Sequence, residues 1–230
     1  MPVAAPGRWG IGQRSDDVPH AQGAAAAAQK KTLHAGERDT PRVRALRGQF
    51  KKQVAAVDSK RLVVVDESGI NTSMTRTRGR ASPGERVPGA VPQGHWKTLT
   101  MIGALRLEGM ATAVTVDAAT DTDVFGTFVR DALVPVLRVG DVVVWDNLTP
   151  HKGEQVRRQV EQAGAKLMPL PPYSPDLSPI EQCWSKVKGH VRDEEPRTPE
   201  ALGQAAAEGF ASVTVADAHG WFENCGYCVH

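Results

Sequence analysis

Two short apolar runs of the chain each end in an aspartate, Leu62-Val-Val-Val-Asp66 and Val142-Val-Val-Trp-Asp146. A third acid, Glu181, follows a proline-rich stretch that begins at Leu170 and reads LPPYSPDLSPIEQ. The two apolar runs are typical of buried strands. In open α/β sheets the ligand lies beyond the carboxyl ends of the strands, so the aspartates would converge if their strands were neighbours. Converging carboxylates repel unless a cation lies between them, which predicts a hard divalent ion such as Mg²⁺.

Each of the three acids also has a plain local explanation. Aspartate is a common turn former, so Asp66 or Asp146 alone could merely begin a turn. Ser178-Pro-Ile-Glu181 fits a capping box, in which the glutamate reaches back to the backbone of the cap residue. The prolines from Pro171 to Pro179 make this arm stiff, because proline fixes its own φ and restricts the residue before it. The arm would fix the direction of Glu181 under either interpretation.

The elements around these acids alternate between strand and helix. We predict strands over residues 61–69, 98–106, 110–117, 140–146 and 165–170, with 98–106 and 110–117 forming a hairpin. We predict helices over residues 41–57, from 122 to 140, from 149 to 164, and near 179–192 and 199–211. A basic loop rich in glycine and proline covers 71 to about 95. This order predicts an α/β fold with a mixed sheet, partly antiparallel and partly parallel.

Composition limits the classes of function that fit the chain. With 230 residues, of which 40% are hydrophobic, it can bury the core of one main domain. The net charge of +2 is too small to indicate nucleic-acid binding unless the basic residues cluster. No apolar run approaches the roughly 18 residues that cross a bilayer, and the first thirty residues do not resemble a signal peptide. We therefore expect a cytoplasmic protein without a membrane partner.

Cysteine content does not predict a metal site. The three cysteines are Cys183, Cys225 and Cys228, and the last two form an isolated Cys-Gly-Tyr-Cys motif near the end of the chain. A structural zinc site takes four ligands at paired spacings. Reduced thiols are the default expectation, a metal or redox use of Cys225 and Cys228 is the weaker alternative, and the role of this pair stays open.

Four motifs, in this order, resemble the Tc/mariner superfamily of transposases in its bacterial insertion-sequence branch. They are VVVDESGINTSM (63–74), GHWKTLTMIGALR (94–106), VVVWDNLTPHK (142–152) and LPPYSPDLSPIEQCWSKVK (170–188). The catalytic triad of this family is Asp, Asp, Glu, with a characteristic spacing between the last two acids. In this chain 34 residues (147–180) lie between Asp146 and Glu181, which matches that spacing. The resemblance runs from about residue 31 to the end. It implies an RNase H-like mixed sheet flanked by helices, with Asp66, Asp146 and Glu181 as catalytic residues and metal ligands.

The resemblance also implies a function and a division of the chain. It implies a catalytic domain over residues 61–230 that performs metal-dependent DNA strand cleavage and strand transfer for an insertion element, using two Mg²⁺ or Mn²⁺ ions. Residues 31–60 would be a helical lead-in, and residues 1–30, which are low in complexity, a disordered segment. The implied partners are double-stranded DNA, at the element ends and the target, and a second copy of the chain in a synaptic complex. The implied location is the nucleoid of a bacterial cytoplasm.

Basic residues beside the motifs are candidates for DNA contacts. A phosphate-binding role for the long loop competes with the interpretation that the loop is merely solvated. His151 and Asn147 belong to the third motif, where a phosphate contact and a plain helix-start role are equally possible. Glu67 should point to the opposite face from Asp66, since side chains alternate along a strand. The predicted DNA contacts are Arg76, Arg78, Arg80 and Lys97 on or beside the loop, His151, and Lys186 and Lys188 on the last catalytic helix.

Parts of the sequence are also compatible with three other functions. A P-loop ATPase is excluded because no G-x-x-x-x-G-K-[ST] motif is present. An aspartyl-phosphate enzyme would leave Glu181 and the proline arm without a role. Full-length relatives carry N-terminal helix-turn-helix domains, and the first thirty residues show no such pair of helices. We therefore expect an upstream helix-turn-helix protein or reading frame as a partner, and the alternative is a catalytically silent DNA-binding or dimerising remnant of a truncated or frameshifted transposase.

Overall fold

A five-stranded mixed sheet forms the centre of the structure, a computed structural model that describes residues 33–146 and 153–229. In their order across the sheet, the strands are β3 (Gly109–Val116), β2 (Thr98–Arg106), β1 (Leu62–Asn71), β4 (Val142–Trp145) and β5 (Lys166–Pro169). Neighbours are antiparallel from β3 to β1, whereas β4 runs parallel to β1 and β5 parallel to β4. The predicted mixture of antiparallel and parallel pairing is therefore confirmed.

Helices cover both faces of the sheet. The helices are α1 (Pro41–Val54), α2 (Thr122–Phe128), α3 (Glu154–Gln162), α4 (Pro179–Glu194), α5 (Pro199–Ala211) and α6 (Val215–Asn224). One face of the sheet packs against α1, α4, α5 and α6, and the other packs against α2 and α3. Within the described ranges, no helix is long and apolar enough to cross a membrane.

The central strand β1 is buried on both sides. Leu62 and Val64 belong to the core on the α4 side, and Val63 and Val65 belong to the core on the α2 side. A strand covered by helices on both faces is apolar without interruption, which explains the β-branched run in the sequence. Because side chains alternate along a strand, a residue two positions after Val64 points to the α4 side.

Some elements differ from the sequence prediction. The helix predicted from 122 to 140 is α-helical only as far as Phe128, and it continues as a π turn (Val129–Leu133) and a 3₁₀ turn (Val134–Val136). Pro135 explains the change, since proline lacks an amide hydrogen and its ring clashes with the preceding turn. Strand β1 extends to Asn71, which pairs with Thr98. Helix α6 was not predicted, although its capping box of Thr214 and Asp217 is a recognisable start signal.

Parts of three predictions lie outside the described residues. These are the N-terminal segment 1–30, the helix start at 149–150, and the third motif beyond Asp146, which contains Asn147 and His151. The division of the chain at residues 30 and 60 stays a prediction.

A buried ion pair ties the end of β2 to the start of β4. The Arg106 guanidinium donates hydrogen bonds to the Asp141 carboxylate and to the Val136 carbonyl oxygen, the latter at 2.9 Å. The Arg138 amide also donates to Asp141, at 2.6 Å. Arg106 is 3% exposed and Asp141 is 0% exposed, so neither charge has water as an alternative partner. Breaking such a pair leaves one charge buried without compensation.

We expect Arg106→Met to lower the free energy of unfolding by about 3–5 kcal/mol, because Asp141 would stay buried without its cation. Urea denaturation measures this loss. The matched control is Arg138→Met, which removes an ion pair with Glu108 in which both side chains are more than half exposed; its cost should stay below about 1 kcal/mol. If both variants lost the same unfolding free energy, the buried pair of Arg106 with Asp141 would not be the one that stabilises the fold.

Candidate active site

Two aspartates lie side by side because β1 and β4 are parallel and in register. Val64 pairs with Val144, and Asp66 and Asp146 each follow two residues later on the two strands. Both side chains therefore belong to the α4 side of the sheet. Asp66 lies within β1, whereas Asp146 follows the last residue of β4. The two apolar runs predicted that the aspartates converge, and the register of β1 with β4 is what brings them together.

Glu181 lies on the first turn of α4, the helix that covers this part of the sheet. Ile180, Trp184 and Val187 of α4 are buried against the core. The capping box considered for Glu181 does not form: the Ser178 side chain makes no capping hydrogen bond, and the Ser178 amide donates instead to the Pro175 carbonyl oxygen at 3.0 Å. The Glu181 carboxylate therefore does not cap α4.

The three acids line one cavity of about 310 Å³. Val64 and Val144 form part of its apolar wall, and the proline arm forms its other side. In the part of the chain that the structure describes, no three His, Cys, Asp or Glu side chains stand close enough together to hold a metal ion. The acids thus share a cavity without forming a closed ligand shell.

The electrostatics of the cavity favour a bound cation. Burial raises the pKa of Asp66 to about 7, the nearby Glu181 adds to the rise, and a hydrogen bond from Trp184 opposes it. Partial burial of its carboxylate raises the pKa of Glu181 as well; Lys188 opposes that rise and Asp146 adds to it. The Glu181 residue as a whole is exposed, so solvent screens part of this effect. Each acid raises the cost of ionising a neighbour, and a positive ion would relieve this repulsion.

Trp184, a buried residue of α4, also contacts the site. Its indole Nε1 donates a hydrogen bond of 2.9 Å to Oδ2 of Asp66, and the residue is 2% exposed. Gly103, which pairs with Asp66 on β2, leaves the space for the indole: a Cβ on this glycine would lie 2.8 Å from Cη2 of Trp184. The sequence does contain a signal for this contact: Trp184 lies three residues after Glu181, and residues at that spacing share one face of a helix.

Lys188 is a predicted basic residue that lies near enough to Glu181 and Asp66 to interact with their charges. It lies two turns after Glu181 on α4 and is half-buried. Burial and the nearby Arg192 lower the pKa of Lys188, while Glu181 and Asp66 oppose this shift. Lys186 lies elsewhere: its ammonium donates to the Asp217 carboxylate and, at 2.8 Å, to the Ser212 carbonyl oxygen. Lys186 therefore joins α4 to the start of α6.

The long basic loop connects β1 to β2 and is anchored to the end of α4. Arg76 pairs with Asp193 at 2.7 Å, and Arg197 donates to the Met74 carbonyl oxygen at 2.8 Å. The Lys97 amide closes the base of the loop by donating to Oγ1 of Thr72 at 3.1 Å. The side chains of Arg78, Arg80 and Lys97 are exposed. The structure thus places these charges on one loop without bringing them to the acids, and His151 lies outside the described residues.

The proline arm before Glu181 is held by residues far away in the chain. Asp176 accepts hydrogen bonds from both Nη atoms of Arg47 on α1, at 3.0 and 2.7 Å, and a third bond from Arg38 at 3.1 Å. The Arg47 bond is the main cause that holds the pKa of Asp176 below its usual range. On the other side, the buried Tyr227 hydroxyl donates to the Leu177 carbonyl oxygen at 2.7 Å. The lead-in helix and the C-terminal segment therefore both fix the arm.

One known protein family matches the chain. Residues 61–202 match the family model described as DDE superfamily endonuclease, which is more than half of the chain. The chain belongs to the DDE superfamily of endonucleases. Among curated proteins, no sequence matches this DDE endonuclease significantly.

Solved structures of Mos1 transposase confirm the RNase H-like fold of this chain. The Mos1 paired-end complex with the left transposon end has a TM-score of 0.71 at 16% identity, covering 87% of this chain and 64% of the Mos1 chain. The Mos1 mariner paired-end complex with Mn has a TM-score of 0.67 at 16% identity, with 86% and 64% covered. The Mos1 catalytic domain has a TM-score of 0.58 at 14% identity, with 86% and 92% covered. The chain therefore spans less than two thirds of the Mos1 chains in the complexes.

We expect Arg47→Met to loosen the proline arm, because Asp176 would lose a bidentate partner that is 8% exposed. The loss should be about 1–3 kcal/mol of unfolding free energy, with faster hydrogen exchange at the amides of Leu177 and Ser178. Arg44→Met is the matched control on the same helix, since Arg44 makes one exposed contact of 3.6 Å with Asp39 and should cost close to nothing. Unchanged exchange in the Arg47 variant would show that the arm needs no such support.

We expect Asp66→Asn to stabilise the metal-free protein at pH 8. The folded pKa of Asp66 is raised to about 7 from 3.8, so its stabilising contribution is complete below 3.8 and is lost as the pH rises through 7. The variant should therefore exceed the wild type in unfolding free energy by an amount that grows from about pH 4 to pH 7 and then stays constant, at roughly 2–4 kcal/mol. Thermal unfolding in EDTA across this pH range measures it. A destabilised Asn variant at pH 8 would contradict the raised pKa.

Proposed function

We propose that this DDE endonuclease is a Tc/mariner-type transposase catalytic domain, of the bacterial insertion-sequence branch, that cleaves DNA strands at element ends and transfers them to a target. The observation that carries the proposal is the cavity shared by Asp66, Asp146 and Glu181. The family match supports endonuclease chemistry, and the Mos1 complex with a transposon end supports a transposition substrate. The four sequence motifs support the bacterial branch.

We propose that Asp66, Asp146 and Glu181 hold two Mg²⁺ or Mn²⁺ ions. Because the three carboxylates do not stand close enough together in the described structure to hold an ion, they would have to move closer when the ions bind. The fit rests on the donor set, which is three carboxylates, and on the raised pKa values of Asp66 and Glu181, which reflect negative charge that is not compensated. The Mos1 complexes with Mn and with Mg support the choice of ion. When bound, a pair of such ions activates an attacking oxygen and stabilises the leaving oxygen at phosphorus.

Two side chains of α4 next to the cavity position these acids and the phosphate. The Trp184 indole fixes the orientation of the Asp66 carboxylate through its hydrogen bond to Oδ2. The Lys188 ammonium lies close enough to Glu181 and Asp66 to interact with their charges, so it reduces repulsion among the acids and is available to a phosphate oxygen. Valine side chains of β1 and β4 exclude water from the floor of the cavity.

We propose that double-stranded DNA, from element ends and target, contacts the basic loop and α4. Arg76 and Lys186 already pair with Asp193 and Asp217, so we assign them a smaller share of the phosphate contacts. A homodimer in the synaptic complex and an upstream helix-turn-helix protein or reading frame complete the proposed assembly, which would act at the nucleoid of a bacterial cytoplasm. The proposed DNA contacts are Arg76, Arg78, Arg80, Lys97, His151, Lys186 and Lys188.

We expect Asp66→Ala, Asp146→Ala and Glu181→Ala each to reduce Mg²⁺-dependent nicking of DNA with the element's terminal repeats by at least ~100-fold, because each removes a metal ligand. Nicking is measured with the chain alone and with the upstream partner added. Calorimetric titration with Mn²⁺ gives a second readout, and binding should weaken in each variant. Glu194→Ala, on the last turn of the same helix, is the matched control and should retain both properties.

Two results would change the proposal. Full nicking by the Glu181→Ala protein would remove this residue from the triad. A folded wild-type chain that neither nicks DNA with the partner present nor binds Mn²⁺ would favour the catalytically silent remnant instead.

A further inference from the structure

Tyr173 has a backbone conformation that a bulky residue rarely adopts. Its φ is +54°, in the left-handed region, and among the described non-glycine residues only Glu195 shares a positive φ. Strained backbone persists where the surrounding structure enforces it, and it clusters at active sites and ligand clamps. Here the turn is enforced by Pro171 and Pro172 before it and by Ser174 after it, whose hydroxyl donates to the Pro172 carbonyl oxygen at 3.0 Å.

The strain at Tyr173 does not serve to bury its ring. The residue is 50% exposed, and in the described part of the chain its hydroxyl has no hydrogen-bond partner and its ring has no aromatic neighbour. The only other tyrosine, Tyr227, has the opposite character. Tyr227 is 6% exposed, its ring lies 5.4 Å from that of Phe222, and its hydroxyl holds the Leu177 carbonyl oxygen. Tyr227 has a clear role in packing, and Tyr173 has none.

The position of Tyr173 relates it to the three acids. It lines the same cavity as Asp66, Asp146 and Glu181, on the side formed by the proline arm. The arm is fixed at Asp176 and Leu177 by Arg47 and Tyr227, so the aromatic side chain projects from a rigid support. An aromatic ring held at the edge of a phosphate-processing site suits one chemical class of ligand, a nucleobase, because every base offers a π face for stacking.

We propose that Tyr173 forms a stacking site for an unpaired nucleobase next to the phosphate that is attacked. The inference rests on the proposed function and adds a substrate contact to it. The base must be unpaired because, within a duplex, both of its faces are covered by neighbouring base pairs. Such a base is present at a strand end or is extruded from the helix. The left-handed backbone sets the direction of the ring in advance, so little ordering is needed when the base arrives.

The test uses an element-end duplex with a short overhang that carries 2-aminopurine as its first unpaired base. Stacking on Tyr173 should quench the fluorescence of this base when wild-type protein binds in EDTA with the upstream partner present. Tyr173→Phe should keep the quenching, and Tyr173→Gly should abolish it and weaken binding of the overhang DNA roughly 5- to 150-fold. Because glycine tolerates a positive φ, the melting temperature of Tyr173→Gly should be unchanged or higher. Trp96→Ala, an aromatic residue of the basic loop that is 58% exposed, should keep the quenching.

Three outcomes would overturn the stacking site. These are quenching that persists in Tyr173→Gly, quenching that is lost in Tyr173→Phe, and a lower melting temperature of Tyr173→Gly that shows a packing role. Failure of the proposed function can be distinguished from failure of the stacking site, because the proposed function is tested by the nicking activity of the wild-type protein. Glu181→Ala should stop nicking and keep the quenching, whereas a false stacking site would leave both nicking and affinity unchanged in Tyr173→Gly.

Discussion

The parallel pairing of β1 with β4 is the constraint on which the candidate site depends. Three in-register pairs, ending at Val64 and Val144, place Asp66 and Asp146 two residues further along each strand and on one face of the sheet. A slip of one residue would turn one aspartate to the opposite face. Both faces of β1 pack against apolar cores, so a slip would move a carboxylate into the core on the α2 side, where an unpaired charge is costly. The register of the sheet and the positions of the two aspartates are therefore linked.

Glu181 reaches the aspartates by a different route, through packing of a helix and support of its leading arm. Buried residues of α4 fix the helix on the sheet, and the ion pair of Asp176 with Arg47 together with the Tyr227 hydrogen bond fixes the segment before it. Proline alone stiffens the arm but does not choose its direction. Contacts from both ends of the chain make that choice, so the third acid depends on residues that take no part in the chemistry.

Local pattern was sufficient for the strands and most helices, because β-branched runs, turn residues and a stiff arm are encoded in neighbouring residues. It also placed Asp66 and Asp146 at strand ends, whereas their grouping with Glu181 as a catalytic triad rests on the family resemblance and stays a prediction. Contacts that depend on distant residues were not accessible. Arg47 and Asp176 are 129 positions apart, and the space for the Trp184 indole beside Asp66 depends on Gly103 of β2. The capping box at Ser178 failed for a local reason: the preceding 3₁₀ turn (Pro175–Leu177) takes the Ser178 amide that the box needs.

Helix α4 connects the candidate active site to the basic loop, although these two regions are far apart in the sequence. Its first turn carries Glu181, and its end is tied to the base of the basic loop by the pair of Arg76 with Asp193 and by the contact of Thr75 with Glu195. Its 16 residues span about 24 Å as a rigid rod. A tilt of this rod moves both ends together. Force applied by a polyanion at the loop would therefore be transmitted mechanically to the carboxylate at the opposite end.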